Sequence, residues 1–112
     1  MDLFDQKDNV KELTQDMIDN SYLKKNYYIQ NTIYEHAKNS ADDNSRIELY
    51  IVNSDDEIEN YVVQVHGWKD EIAVNCAFNY TRVPSDNFIR DYIRPIEDKL
   101  RDYFRLQGYK VH

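Results

Sequence analysis

The chain has one cysteine, two glycines and two prolines in 112 residues. A single cysteine excludes an internal disulfide, so no covalent cross-link supports the fold. Cys76 shares the inward row of its strand with Val74 and Phe78, where a small buried hydrophobe is the expected role. Two glycines leave no Gly-rich phosphate loop and no nucleophile elbow. Basic residues are also scarce: 14 Lys and Arg stand against 21 Asp and Glu, a formal net charge of −7. Direct binding of nucleic acid or of an anionic membrane needs clustered cations, so neither is expected. No apolar run approaches the roughly 20 residues of a membrane-spanning helix. Met-Asp-Leu-Phe-Asp at the start is acidic and has no apolar run. No secretory leader is read there, and a cytoplasmic location is the expectation.

Metal and cofactor signals are missing too. His36, His66 and His112 have no ligand spacing among themselves or with Cys76. Asp55-Asp56-Glu57 lacks the alternating acidic pattern, the glycine and the distal Glu of a calcium loop. The many carboxylates offer no pair that stands out for acid–base catalysis. No catalytic residue, metal site or cofactor is therefore expected.

What is present is aromatic and periodic. Ten Tyr and four Phe exclude a disordered chain, and the length fits a single domain over residues 1–112. The stretch 46–81 organises the rest. In residues 71–81, Ile72, Val74, Cys76, Phe78 and Tyr80 alternate with Ala73, Asn75, Ala77, Asn79 and Thr81, the period of a half-buried strand. Residues 46–52 place Ile47, Leu49 and Ile51 on one side, and residues 58–66 do the same with Tyr61, Val63 and Val65. Residues 53–57 and 67–70 have the length and composition of turns. Pairing Ile47 with Val63 and Val65 with Ile72 brings all three apolar rows to one face. The opposite face, with Glu48, Tyr50, Val52, Val62, Gln64, His66, Ala73, Asn75 and Ala77, is mixed. It reads as solvated or as a partner or dimer surface.

Helical spacing flanks this meander. Residues 2–19 carry Leu3, Val10, Leu13 and Met17 on one side, with Asp2 or Asn9 as the cap. Residues 22–38 place Tyr22, Ile29, Ile33 and Ala37 in line and predict a second helix, with Asn26 and Gln30 inside its apolar stripe. Pro84-Ser85-Asp86 starts a third, Pro95 predicts a kink or restart within it, and Gly108 with Tyr109 fits a Schellman end packed on Phe104. The expected fold is α+β. It is a three-stranded antiparallel meander with two N-terminal helices and one C-terminal helix, in the order α-α-β-β-β-α, with the helices packed on the Ile47/Val63/Val74 face.

The order helix, three strands, helix is similar to that of the double-stranded-RNA-binding domain. That resemblance implies a basic cluster at the start of the last helix, but Pro84-Ser85-Asp86-Asn87 stands there, so RNA binding does not carry over. The order is also similar to the first half of the small acidic secretion chaperones, whose later strands have no counterpart in it. This likeness concerns the fold alone.

One charge pattern points to function. Asp5, Asp8, Glu12, Asp16 and Asp19 follow each other at spacings of 3, 4, 4 and 3. On a helical wheel they share an arc of roughly 80° opposite the apolar line. They span about 21 Å at helical rise, a charge density comparable to that of a nucleic-acid strand. Like charges at i,i+4 cost about 0.2–0.5 kcal/mol each. The stripe reads as a solvated face or as an anionic rod that docks in a basic groove. Arg90, Arg94, Arg101 and Arg105 share a face of the last helix beside Asp91, Asp98 and Asp102, and they read as an ion-paired solvent face or a phosphate-binding edge. Trp68, alone at a hairpin turn, either folds back on the sheet edge or anchors a partner.

These features favour a small acidic, non-enzymatic protein-binding protein: an inhibitor, adaptor or chaperone. In its sharper version it is a nucleic-acid mimic that occupies the basic cleft of another protein, itself a nucleic-acid binder, through Asp5, Asp8, Glu12, Asp16 and Asp19, whereas partner binding centred on Trp68 or the outer sheet face is an ordinary apolar interface. The alternatives are a small enzyme assembled from scattered carboxylates, tyrosines and His66, and a structural homodimer built across the outer sheet face.

Overall fold

A computed structural model describes residues 2–21, 27–38, 43–53, 60–78 and 84–112. A 3-10 turn, Phe4–Gln6, leads into helix α1, Lys7–Asp19. Four strands follow: β1 (Tyr27–Lys38), β2 (Asp43–Asn53), β3 (Tyr61–Trp68) and β4 (Glu71–Phe78). A short helix α2 (Asp86–Phe88), a π turn (Ile89–Ile93) and helix α3 (Arg94–Arg105) run on in unbroken helical backbone. Strand β5, Lys110–Val111, ends the order. The sheet order is β1-β2-β3-β4-β5, antiparallel throughout except that β5 lies parallel to β4.

This corrects the three-stranded meander with two N-terminal helices. The sheet has five strands and is mixed, and the expected second helix is strand β1 over residues 27–38. Residues 22–26, the start of that expected helix, lie outside the described residues. The helical reading rested on Ile29, Ile33 and Ala37, four apart. In the strand, an extra residue breaks the alternation: Ile29 pairs with Ile51 and Asn31 with Tyr50, so Gln30 is bulged out. Tyr27 and Ile29 therefore face the helices before the bulge, and Thr32 and Tyr34 face them after it, opposite Leu49 and Ile47. Ile33 turns to the other face, beside Glu48. Aromatic and β-branched residues suit this pleated surface better than a helix. Gln30, a misfit inside an apolar helical stripe, is exposed at the bulge.

In the central strands the faces are as expected and the register is not. Ile47 pairs with Val65, Leu49 with Val63, and Val65 with Val74. Each pairing is displaced by two residues, and a shift of two leaves every side chain on its own face. Ile47, Leu49, Ile51, Tyr61, Val63, Val65, Ile72 and Val74 are all buried. They meet Leu3, Val10, Ile18, Ile93, Ile96, Leu100 and Phe104 in one core. α1 packs on β1 and α3, and α3 packs on β4, so both helices cover the same face. Asp2 accepts the Phe4 N–H (2.9 Å) and the Tyr34 hydroxyl, which holds the first turn to β1.

The C-terminal helix begins at Ser85, whose hydroxyl accepts the Phe88 N–H at 3.2 Å. Pro95 has no N–H for the preceding turn, and that turn is a π turn closed by Arg94 N–H to Ile89 O. Gly108, at φ 94°, ends the helix, with Tyr109 N–H on Phe104 O and Gly108 N–H on Arg105 O. The chain then returns along β4. His112 N–H donates to Ile72 O (2.8 Å), and His112 O accepts from Val74 N–H (3.1 Å). Beyond β5, two α3 side chains continue along this edge: Arg101 donates to Val74 O (2.7 Å) and Glu97 accepts the Cys76 N–H (2.9 Å). Glu97 is only 1% exposed. Arg94 bonds its other carboxylate oxygen, so both oxygens have donors.

Candidate functional site

The carboxylate stripe is solvent-facing along its whole length. Asp5 lies in the 3-10 turn, and Asp8, Glu12, Asp16 and Asp19 lie on α1. All five are exposed, while Val10, Thr14 and Ile18 form the buried line of the same helix. Burial therefore runs slightly to one side of the expected Leu13 and Met17, which are partly buried. Asp19 accepts from the Gln15 amide at 2.9 Å. Among the described residues, no Lys or Arg forms an ion pair with any of the five. Lys7, the basic residue next to Asp8, places its ammonium 4.8 Å from the centre of the Phe4 ring. Asp16 and Asp19 lie at the C-terminal end of α1, where the helix dipole disfavours negative charge and the last turn holds no basic residue.

The arginines of the C-terminal helix are used internally. Arg90 pairs with Asp91 (2.8 Å), Arg94 with Glu97, Arg101 with Asp98 (3.2 Å), and Arg105 with Asp102 (3.2 Å). The Arg90 guanidinium holds the Asp91 carboxyl below the usual carboxylate range. The face is ion-paired, and Arg101 and Glu97 turn inward to the β4 edge.

Trp68 lies at the end of β3 on the sheet face away from the helices and is 42% exposed. The following turn is Lys69-Asp70, and Lys69 adopts φ 57°, the left-handed region a side chain disfavours. Its ammonium sits 4.8 Å from the centre of the indole ring. On the β4 side, Trp68 walls a cleft of about 180 Å³ with His66, Glu71, Ile72, Ala73 and His112. Glu71 is held below the usual carboxylate range, first by its hydrogen bond with His112 and then by that with Lys110. Sequence reasoning singled out Trp68 and missed Glu71 and His112. They meet it only because a two-residue parallel strand returns along β4, and so short a strand leaves no periodic signal.

The remaining outer face is mixed, as its composition implied. Arg46 bridges Glu35 and Glu48, the latter at 2.8 Å, and Tyr50 donates to Glu48 at 3.2 Å. The Glu48 charge raises the Tyr50 hydroxyl above its ordinary value. A second cleft of about 180 Å³ lies among Glu35, Asn44, Arg46 and His66. Cys76 is partly buried, and desolvation pushes its thiol well up, which disfavours the thiolate. Among the described residues, no group of three or more His, Cys, Asp or Glu side chains is placed to hold a metal ion. None of the described helices is long and apolar enough to cross a membrane. Comparison with protein-family models, curated proteins and solved structures gives no match.

Proposed function

We propose that this chain is a non-catalytic protein-binding module, of the inhibitor, adaptor or chaperone kind, whose α1 face docks as an anionic rod on the basic cleft of a partner. One observation carries the reading: exposed carboxylates run from Asp5 in the 3-10 turn through four on one side of α1, and none of the five is ion-paired among the described residues. The arginines of the last helix are held by their own acidic neighbours and do not neutralise the rod. Mutual repulsion within the stripe works against the helix, and a basic partner would relieve it. A groove that otherwise holds phosphates matches the rod in charge and length.

The test compares the native chain with an Asp8→Lys/Glu12→Lys/Asp16→Lys variant. Both are used to capture partners from host lysate, with elution on a salt gradient. The expected partner is basic, leaves at moderate salt because the Debye length falls from about 10 Å at 0.1 M toward about 3 Å at 1 M, and is lost by the variant. A partner held equally by both chains would overturn the reading. The second reading is an apolar contact centred on Trp68 and the half-buried Val62, Ala73 and Ala77 of the outer face. Binding that survives high salt and fails with Trp68→Ala would favour it. A homodimer across that face requires a dimer in sedimentation.

A further inference from the structure

We propose that the cleft beside Trp68 takes the guanidinium of an arginine side chain presented by the partner protein. This rests on the reading of the chain as a protein-binding module and adds a second contact, on the sheet face opposite α1.

Three observations carry it. The indole face attracts cations, arginine more often than lysine, and this ring already holds the Lys69 ammonium at 4.8 Å. Lys69 is not among the residues that line the cleft, so its ammonium does not fill it. The cleft also contains a carboxylate with capacity to spare. Lys110 Nζ (3.4 Å) and His112 Nε2 (3.5 Å) both approach Glu71 Oε1. Among the described residues, no side chain bonds Oε2, although a carboxylate accepts about four hydrogen bonds. Finally, the shape suits a planar cation. The residues that line this space of about 180 Å³ include three with flat rings, Trp68, His66 and His112, and one carboxylate, Glu71. A guanidinium can lie on a ring and direct its fork of N–H donors to Oε2 at once. An ammonium is a point charge that would compete with Lys110 instead. The net charge of −7 adds a long-range attraction for such a guest.

The test uses Nα-acetyl-arginine-N-methylamide as the probe and the citrulline analogue, neutral and nearly the same shape, as its control. Trp68 is the one tryptophan of the chain, so intrinsic fluorescence reports the cleft directly. Imidazole NMR signals of His66 and His112 provide a second readout. A saturable response to the arginine probe is expected, about five- to ten-fold weaker with citrulline. Glu71→Gln should weaken the arginine response to a similar degree, and Trp68→Leu should abolish the histidine shifts. Equal responses to the two probes, or shifts confined to other parts of the protein, would overturn the proposal without any variant having to fold. The Asp8→Lys/Glu12→Lys/Asp16→Lys chain separates this inference from the reading beneath it. The variant should still give a saturable response at the cleft. A response that requires the intact stripe would place the probe on α1 and sink the cleft. A cleft that ignores the probe leaves the salt-gradient capture experiment to decide the role of α1 by itself.

Discussion

Replacing Glu97 with alanine would remove the buried carboxylate that continues the edge of β4. The Cys76 N–H, bonded to it at 2.9 Å, would lose its acceptor. An orphaned buried donor costs about 1–3 kcal/mol. The lost side-chain methylene adds about 0.8 kcal/mol. The Arg94 contact adds well under about 1 kcal/mol, because that guanidinium is half exposed and screened by water. Relief of the carboxylate's own desolvation opposes these losses, so the expected net destabilisation is about 2–3 kcal/mol. Glu97→Gln retains an acceptor for Cys76 and should cost about 1 kcal/mol. Urea denaturation gives the stability change from the midpoint, provided the slope is unchanged. Amide exchange at Cys76 gives the mechanism, with protection lost in the alanine variant and retained in the glutamine variant. An alanine variant within about 0.5 kcal/mol of the native chain, with Cys76 still protected, would refute the idea that Glu97 closes this edge.

Three further outcomes follow from the same geometry. Glu12→Lys ends two like-charge contacts, with Asp8 and Asp16, and creates two attractive ones. Thermal unfolding should show a gain of about 0.5–1 kcal/mol while partner binding falls, and a loss of stability would contradict the exposed, unneutralised stripe. Lys69→Gly relieves the φ of 57° but forfeits the contact with Trp68, so a gain of about 0.5 kcal/mol is expected; destabilisation in urea melts would show the turn to be unstrained. The Glu71 carboxyl titrates below its ordinary value, so its support of β5 is complete above the normal carboxylate range and is lost as pH falls through the lowered value. Amide exchange at Lys110 and His112 should accelerate under acid, and Glu71→Gln should remove that pH dependence.

The face assignment of the central strands was legible because period two is a local signal. Their register was not, because displacing a pair by two residues preserves every face and sequence alone sees no difference between Ile47 opposite Val63 and Ile47 opposite Val65. β1 was misread because its bulge places Ile29 and Ile33 at a helical spacing. The six aromatic or β-branched residues in Tyr27–Lys38 were the available counter-signal. In the last helix, the four arginines and their acidic neighbours read as an ion-paired solvent face or a phosphate-binding edge, and neither reading points to Glu97. Yet Ile93, Ile96, Leu100 and Phe104 are buried with Glu97, and a carboxylate on that stripe is a sign that some buried donor awaits it. The exposure of the α1 carboxylates was legible, since exposure opposite an apolar line follows from helical geometry; the buried line itself was displaced, with Thr14 and Ile18 buried beside the expected Leu13 and Met17. The Trp68 cleft was half legible: the indole was visible in the sequence, and its partners from the returning tail were not.

The bulge at Gln30 gives β1 something like a reading frame. Loss of one residue from a regular strand exchanges the two faces for everything downstream, so such a deletion should be ruinous almost anywhere in Tyr27–Lys38. Gln30 is the exception. It has no partner position on β2, and the pairings resume at Asn31 with Tyr50 as though it were absent. Removing it would join Ile29 directly to Asn31 and leave Thr32 and Tyr34 toward the helices and Ile33 away from them. In a lineage that gains and loses codons, this is the point in the strand where length can vary while each side chain stays on its own side.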